Sequence, residues 1–268
     1  MKKIIALALA AIMLCATFVA CGDAKDEKTI TVAATSAPHA EILDQCVAAM
    51  AEKGYKLVVR VMDDYIIPNT ATEDGEVDAN YFQHVPYLES FNAENGTHLV
   101  SVAQIHYEPY AIYAGTTKAL ADLADGAKVA VPNDPTNEAR ALQLLAAEGL
   151  ITVREGAGLT ATKLDIVENP KNLDIVEMEA ALLPSVLDDV AIAVINGNYA
   201  IANGLKVADA LGQESAESEA AQTFANILVV REGNEANEGV AALIEVLKTD
   251  AIKAFIETKY EGAVVPLF

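Results

Sequence analysis

The sequence contains no tryptophan, only 3 cysteines, and only 18 basic residues against 39 acidic ones, which gives a formal net charge of −21 over 268 residues. Phosphate backbones are bound by clustered lysines and arginines, so this charge balance argues against a nucleic-acid partner. After residue 20 no apolar run is long enough for a transmembrane helix. A hydrophobic fraction of 53% nevertheless excludes a disordered chain.

Conventional enzyme signatures are missing as well. The sequence has no nucleophile elbow around a serine, no phosphate-binding P-loop and no His-Glu-x-x-His helix. The 4 histidines lack the spacing of metal ligands, so only tertiary folding could bring them together. The sequence therefore predicts no catalytic residues, no enzyme activity, no cofactor and no metal.

The N-terminus has the composition of a secretion signal. Lys2 and Lys3 precede an apolar run at 4–20, and Cys21 follows Val19-Ala20. A small residue before a cysteine at this place resembles a lipobox, whose thiol takes a diacylglyceryl group, although Phe18 stands where leucine is usual. We expect residues 1–20 to be a lipoprotein signal peptide and residues 21–28 a lipid-anchored tether. The alternative is a plain signal peptide with an incidental Cys21.

Cysteine usage agrees with that interpretation. Cys15 would leave with the signal and Cys21 would be modified, so Cys46 remains alone and no disulfide framework is expected. Cys46 shares an apolar helical face with neighbours that predict a buried, unreactive thiol, namely Ile42, Leu43, Val47 and Met50.

Strand-like and helix-like segments alternate along the rest of the chain. Strands are predicted at 29–35, 57–62, 99–105, 110–113, 128–131, 190–195 and 226–230. Helices are predicted from Pro38, from Asp134-Pro135 to about 148, and at 235–247 and 250–259. This order favours an α/β fold with mostly parallel sheets, and the length suits two lobes.

Two strand ends carry candidate binding residues. Arg140 lies one to two turns into a helix whose N-terminus favours an anion, and its guanidinium could bind a carboxylate. A solvated helix arginine is the other interpretation. Asn196 follows a buried strand, where α/β proteins bind ligands, or belongs to an Asn-Gly turn. Phe82 and Tyr87 are either core or pocket residues.

Several long segments in one order resemble the methionine-binding lipoproteins of ABC importers, the NlpA-type lipoprotein family. The likeness runs from the signal peptide to the C-terminus and is carried by DDYIIPNTA at 63–71, VDANYFQHVPYL at 77–88, VAVPNDPTNEARALQLL at 129–145, DIVENPKNLDIVEMEAALLP at 165–184, AVINGNYAIANGL at 193–205 and FANILVVRE at 224–232.

The resemblance implies a fold and its division. The fold is the two-lobed α/β architecture of periplasmic binding proteins, of a type II-like kind, with ligand in the interlobe cleft. Two hinge segments are expected near 106–110 and 223–227. Lobe I then comprises residues 29–109 and 227–268, and lobe II comprises residues 110–226.

The resemblance also implies roles for individual residues. Arg140 would bind the carboxylate of an amino acid, and Asn196 and Asn226 would accept hydrogen bonds from its ammonium group. The ligand side chain would be enclosed by Tyr65, Phe82, His84 and Tyr87. Weaker ligand candidates are Asn137 and Asn198. Gly197-Asn198 departs from the family pattern, since many relatives have other polar residues after the Ile-Asn pair.

The implied function is capture of methionine, or a related small amino acid, and its delivery to the permease of an ABC importer. The implied partners are the permease and ATPase subunits of that importer. The protein would be lipid-anchored at the extracytoplasmic face of the cell membrane. One alternative keeps the fold but binds another apolar amino acid, a methionine derivative or a small peptide. Another class of alternative is a metal-binding protein, an adhesin or an enzyme.

Overall fold

A computed structural model describes residues 28–215 and 222–268. The predicted signal peptide and the lipidation site Cys21 lie outside the described residues. Within the described residues, no helix is both long enough and apolar enough to cross a membrane.

The described elements alternate as the sequence predicts. The strands are β1 (Thr29–Ala34), β2 (Lys56–Val61), β3 (Ala79–His84), β4 (Leu99–Tyr107), β5 (Ala111–Ala114), β6 (Lys128–Pro132), β7 (Thr152–Val153), β8 (Ile166–Glu168), β9 (Asp174–Met178), β10 (Ile192–Ile195), β11 (Gly212–Gln213), β12 (Asn226–Arg231) and β13 (Val265–Pro266). The α-helices are α1 (Glu41–Glu52), α2 (Ile67–Glu73), α3 (Val85–Asn95), α4 (Pro135–Ala147), α5 (Gly197–Ala202), α6 (Glu238–Leu247) and α7 (Asp250–Tyr260).

The first sheet has the strand order β13-β4-β12-β3-β1-β2. β1 runs parallel to β2 and β3, while β12 runs antiparallel to β3 and β4. α1, α6 and α7 pack on this sheet and bury Leu43, Leu243 and Ile256 against Val32 and Tyr81. β1 has no exposed residue, which explains its nearly continuous apolar sequence.

The second sheet has the order β11-β5-β10-β6-β9. α4 packs on it through Leu142 and Leu145, which belong to one apolar cluster with Val129, Val131 and Ile192. As predicted, α4 begins with Asp134 at the N-cap and proline in the first turn, and the Asp134 side chain accepts a hydrogen bond from the Asn137 amide at 3.0 Å.

The chain crosses between the sheets twice, from β4 to β5 and from β11 to β12. The strands beside these crossings pair antiparallel, so both sheets are mixed and the prediction of mostly parallel sheets is wrong. Asn226, which the predicted boundary assigns to lobe II, is the first residue of β12 and pairs with His84 and His106. Its apolar neighbours predict a strand but not the sheet that the strand joins.

Cys46 is fully buried in α1, as predicted, and burial raises the pKa of its thiol to about 12. Val47, which the helical pattern assigns to the same face, is 41% exposed. It lies one residue beyond Cys46, and a 100° step per residue turns its side chain toward the edge of the buried stripe.

Candidate ligand-binding cleft

A narrow cavity of about 20 Å³ lies where the two sheets face each other, with room for about one water molecule. All nine residues predicted to bind ligand line it, together with three that were not predicted: Tyr65, Phe82, Gln83, His84, Tyr87, Glu108, Asn137, Arg140, Asn196, Gly197, Asn198 and Asn226. Most of the lining comes from the end of β3, the first turn of α3, the first two turns of α4, the start of α5 and the start of β12, and Tyr65 and Glu108 come from connecting segments. An amino acid could enter only if the lobes separate.

Arg140 is buried and already has a carboxylate partner within the chain. Its Nε donates to Oε1 of Glu214 at 2.8 Å, and its Nη2 donates to Oε2 of Glu214 at 2.6 Å and to the Glu108 carbonyl at 3.1 Å. The guanidinium carbon lies 4.2 Å from the Phe224 ring centroid and 4.7 Å from that of Tyr110. The arginine is therefore held by a carboxylate along one edge and by neighbouring aromatic rings, and is not a solvated helix residue.

The charge state of Arg140 is secured by the same contacts. Burial alone would lower the pKa of Arg140, but the charge and hydrogen bonds of Glu214 outweigh burial and raise it. Glu214 also accepts a hydrogen bond from the Tyr107 hydroxyl at 2.6 Å. The site thus contains a guanidinium that stays charged at any physiological pH.

A relay of side chains fixes the orientation of the Asn196 amide. The Asn137 Nδ2 donates to both carboxylate oxygens of Asp134, at 2.9 and 3.0 Å, so the Asn137 Oδ1 points away from Asp134 and accepts from Asn196 Nδ2 at 2.9 Å. The Oδ1 of Asn196 is then the free end of its amide, and it is buried without a hydrogen-bond partner. A buried acceptor of this kind is available to a donor from a water molecule or a ligand.

The Asn198 amide has a free donor, whereas the Asn196 amide has a free acceptor. Its Oδ1 accepts a hydrogen bond from the Tyr65 hydroxyl at 2.7 Å, which leaves Nδ2 as the free end of the amide. That Nδ2 and the Asn196 Oδ1 are the buried side-chain polar atoms without a partner in the described part of the chain. One is a donor, the other an acceptor, and both residues line the same cavity.

Asn226 differs from Asn196 in that its amide oxygen is in use. The His39 Nε2 lies 2.9 Å from Asn226 Oδ1, in hydrogen-bond contact. Burial lowers the pKa of His39 to about 4, so the neutral ring donates through this nitrogen. The acceptor role expected of Asn226 is therefore restricted to its second lone pair.

An aromatic cage adjoins these amides. The Tyr65 ring lies 5.6 Å from Phe82, 5.5 Å from Tyr87 and 5.0 Å from Tyr199, measured between ring centroids. The Tyr87 hydroxyl donates to the Tyr65 carbonyl at 2.9 Å. Because the Tyr65 hydroxyl is also engaged, these rings offer the cavity their apolar surface and no free donor.

His84 completes the cage in the same way. Its Nδ1 accepts from the Tyr87 amide at 3.2 Å, and its Nε2 lies 3.2 Å from Asn137 Oδ1, an acceptor. Burial lowers the pKa of His84 to about 3, with Arg140 adding to the effect, so the imidazole is neutral. Both of its nitrogens are used inside the protein.

Within residues 28–215 and 222–268, folding brings together one group that could hold a metal ion, formed by His39, His106 and Glu108, all buried. The Glu108 Oε1 lies 2.8 Å from His106 Nε2 and 3.4 Å from His39 Nε2. The remaining ring nitrogens contact the hydroxyls of Tyr81 and Thr35. Every ligating nitrogen already has a hydrogen-bond partner, and a 2.8 Å separation is too short for two atoms that share a tetrahedral zinc at about 2.0–2.2 Å.

Sequence reasoning missed four residues of this site: Gln83, Glu108, Gly197 and Glu214. Gln83 belongs to a buried amide network with Asn69 and Asn80, behind the cavity. Glu108 lies in the first crossing between the lobes, and its place beside Pro109 at a strand break was the available signal. Glu214 is part of an acidic run that suggests a solvated loop, and only the fold shows its contact with Arg140.

The chain matches the NlpA lipoprotein family over residues 30–268. The methionine-binding lipoprotein MetQ of Bacillus subtilis is 43% identical over 251 residues, covering 92% of this chain and 90% of the relative. The membrane lipoprotein TpN32 of Treponema pallidum is 42% identical over 248 residues, covering 92% and 91%.

Solved structures agree with this assignment. A Ruminococcus gnavus protein superposes with a TM-score of 0.89 at 57% identity, over 90% of this chain and 100% of that one. A nutrient-binding protein from Burkholderia cenocepacia, bound to methionine, gives 0.84 at 41% identity, over 89% and 100%. The two-lobed α/β fold predicted from the sequence is confirmed. This chain belongs to the NlpA lipoprotein family.

Proposed function

We propose that the protein is the extracytoplasmic substrate-binding lipoprotein of an ABC importer, that it binds methionine in the cleft between its lobes, and that it releases the ligand unchanged to the permease. The observation that carries the proposal is the pair of unpaired buried amide atoms, Asn196 Oδ1 and Asn198 Nδ2, beside Arg140. An acceptor, a donor and a cation in one cavity match the ammonium and carboxylate groups of an α-amino acid.

The aromatic cage supports an apolar, unbranched side chain. The rings of Tyr65, Phe82 and Tyr87 lie together, and both tyrosine hydroxyls are engaged within the protein, so these side chains present apolar surface. A thioether fits such surroundings because sulfur is polarisable and contacts aromatic edges favourably. The Bacillus subtilis relative is named a methionine-binding lipoprotein, and the Burkholderia cenocepacia structure holds methionine.

We further propose that residues 106–110 and 223–227, beside the two crossings between the sheets, act as hinges. Ligand residues then divide between two bodies, with Tyr65, Phe82 and Asn226 on lobe I and Arg140 and Asn196 on lobe II. A ligand that contacts both bodies favours the closed arrangement by its differential affinity.

The membrane attachment belongs to the same proposal. Cys21 would carry the acyl chains, and residues 22–28 would tether the lobes at the outer face of the membrane. The permease would receive the ligand, and the ATPase subunits would be the other partners in the importer.

Native mass spectrometry of freshly purified protein tests the proposal directly. We expect a bound species with the mass of methionine, which is identified as methionine after release. Refolded protein should bind methionine by calorimetry and return it chemically intact after prolonged incubation. A different co-purified ligand, no binding of any α-amino acid, or repeated conversion of methionine to a product would contradict the proposal.

A further inference from the structure

Glu108 is a buried carboxylate that lines the cavity and has no assigned role. Its side chain is 6% exposed, and it lies in the crossing between β4 and β5. Its Oε1 accepts from His106 Nε2 at 2.8 Å, and the Asn198 backbone N–H also donates to the carboxylate. The group is therefore held firmly where the two lobes meet.

The hydrogen bonds around Glu108 come from neutral donors. With Glu108 ionised, the Nε2 of His106 carries the hydrogen, and the Nδ1 of His106 accepts from the Tyr81 hydroxyl. Burial lowers the pKa of His106 to about 3, so this ring brings no positive charge. His39 is neutral for the same reason.

The charge of Glu108 also lacks a contact with the one guanidinium of the cavity. Arg140 forms its ion pair with Glu214 and reaches Glu108 only through the backbone carbonyl. Among the ion pairs of the described residues, those of Glu108 involve only His39 and His106. A buried carboxylate without a cation is costly, and a cationic ligand group would remove that cost.

Gly197 is the residue that leaves room for this carboxylate. A Cβ atom built on Gly197 would lie 2.7 Å from both Cβ and Oε2 of Glu108, closer than such atoms can approach. Gly197 and the Glu108 carboxylate thus occupy the same corner of the cavity, next to Asn196 and its unpaired acceptor.

We propose that Glu108 binds the ligand's α-ammonium group, with Asn196 Oδ1 as the neutral second acceptor, and that Glu108 restricts the site to ligands with a free cationic amine. This inference rests on the proposed binding of an amino acid. It assigns the ammonium to a charged partner and leaves the free Nδ2 of Asn198 and the remaining guanidinium surface of Arg140 for the carboxylate.

The test compares two single changes and their combination, one in the protein and one in the ligand. Glu108→Gln keeps the shape of the side chain and removes its charge, while 4-(methylthio)butanoate is methionine without its amine. We expect Glu108→Gln to weaken methionine binding by about 10- to 100-fold, as for a lost hydrogen bond to a charged group. Binding of the amine-free analogue should change by no more than about threefold.

Glu214→Gln is the matched control, because it neutralises the other buried carboxylate of the site, which contacts Arg140. It should weaken both ligands alike. If Glu108→Gln also weakens both ligands alike, or weakens neither, the ammonium assignment is overturned. Wild-type protein that binds no amino acid would contradict the proposed function instead.

A second variant covers the case in which Glu108→Gln does not fold. Gly197→Ala places a methyl group against the Glu108 carboxylate and keeps every charge. We expect it to reduce methionine affinity more than affinity for the amine-free analogue. Equal losses for the two ligands would show that Gly197 serves packing alone and would count against the proposal.

Discussion

The carboxylate of Glu214 binds one edge of the Arg140 guanidinium, with Nε 2.8 Å from Oε1 and Nη2 2.6 Å from Oε2. The side chains of both residues are largely buried, at 5% and 11% exposure. Removing one member of such a pair leaves the other buried without its counterion. Arg140 therefore supports the fold as well as the proposed ligand contact, and the two contributions need separate measurements.

Arg140→Ala should reduce methionine affinity by at least about 3 kcal/mol, because it removes the cation for the ligand carboxylate. It should also lower the melting temperature, since Glu214 loses its partner. Arg140→Lys should restore little of the lost affinity, because an ammonium group lacks the planar fork with which a guanidinium can contact Glu214 and the ligand together. Calorimetry gives the affinity and thermal unfolding gives the stability.

The double variant Arg140→Met/Glu214→Gln separates these effects. It removes the ion pair as a whole, so we expect the melting temperature to recover while methionine binding stays weak. Near wild-type affinity in Arg140→Ala would show that the arginine serves only Glu214.

The sequence predicts much of this site at the level of residue type and position. Local patterns in the sequence predict the helix cap at Asp134, the strand before Asn196 and the aromatic run around Phe82. The family resemblance predicts that these three features belong to one ligand site. All nine predicted side chains line one cavity.

Long-range pairing could not be predicted in the same way. Arg140 and Glu214 are 74 residues apart, and His39 and Asn226 are 187 apart. No local periodicity connects such positions. The direction of the Asn196 amide likewise depends on Asp134 through Asn137, and no pattern in the sequence encodes that relay.

Three buried histidines should make stability depend on pH. Burial lowers the pKa of His39 to about 4 and those of His84 and His106 to about 3, against 6.5 in the unfolded chain. The unfolded state takes up these protons first as the pH falls. The contribution of each neutral ring is therefore complete above pH 6.5 and declines toward pH 4, by up to about 1.4 kcal/mol per pH unit.

His106→Gln tests this dependence, since it removes one such ring. Burial raises the pKa values of Glu108, Asp134 and Glu138, and these groups increase the free energy of unfolding as the pH falls, opposite to the histidines. The quantity to compare is therefore the difference in unfolding free energy between wild type and variant. We expect the unfolding free energy of the variant to fall less steeply between pH 6.5 and 4.5. His98→Gln is the control, because 67% of that side chain is exposed. Equal slopes for wild type and His106→Gln would contradict a neutral, buried His106.

Ligand binding should close the lobes. The Tyr65 hydroxyl reaches Asn198 of the other lobe at 2.7 Å, and closure buries Asn196 Oδ1 and Asn198 Nδ2. Each unpaired buried polar atom costs about 1–3 kcal/mol, which a ligand would remove by pairing with it. Small-angle scattering of ligand-free protein should give a larger radius of gyration than the methionine complex. Arg140→Ala should show no decrease on methionine addition, whereas an unchanged radius in wild type would argue against the hinge proposal.

Cys21→Ser should release the protein from the membrane. Only the cysteine thiol can take the lipid, and two or three acyl chains bind a bilayer far more strongly than one. After cell fractionation we expect wild type with the membranes and the variant in the soluble fraction. Cys46→Ser is the matched control, because that buried thiol is elsewhere in the fold. Equal solubility of wild type and Cys21→Ser would contradict the anchor.

The aromatic cage should select a thioether over other side chains. In the proposed complex Arg140, Asn196 and Asn198 would contact groups that every α-amino acid carries. Selectivity would then depend on the cage, formed by Tyr65, Phe82, His84 and Tyr87. Sulfur against an aromatic edge contributes about 0.3–1.5 kcal/mol, and burial of the apolar side chain adds about 2 kcal/mol. Norleucine should bind more weakly than methionine but detectably, and leucine and valine more weakly still.

Methionine sulfoxide tests whether the aromatic cage rejects a polar side chain. The hydroxyls of Tyr65 and Tyr87 and both nitrogens of His84 are engaged inside the protein, so the cage side chains offer the buried sulfoxide oxygen no donor, and the free Nδ2 of Asn198 is taken by the ligand carboxylate in the proposed complex. We expect methionine sulfoxide to bind more weakly than methionine in competition calorimetry.

Phe82→Ala should narrow the differences in affinity among methionine, norleucine and leucine. Phe91→Ala, which removes a buried ring 6.2 Å from Tyr87 and outside the cavity, should lower the melting temperature but keep the ranking. Equal wild-type affinities for methionine, leucine and valine would disprove selection by the cage.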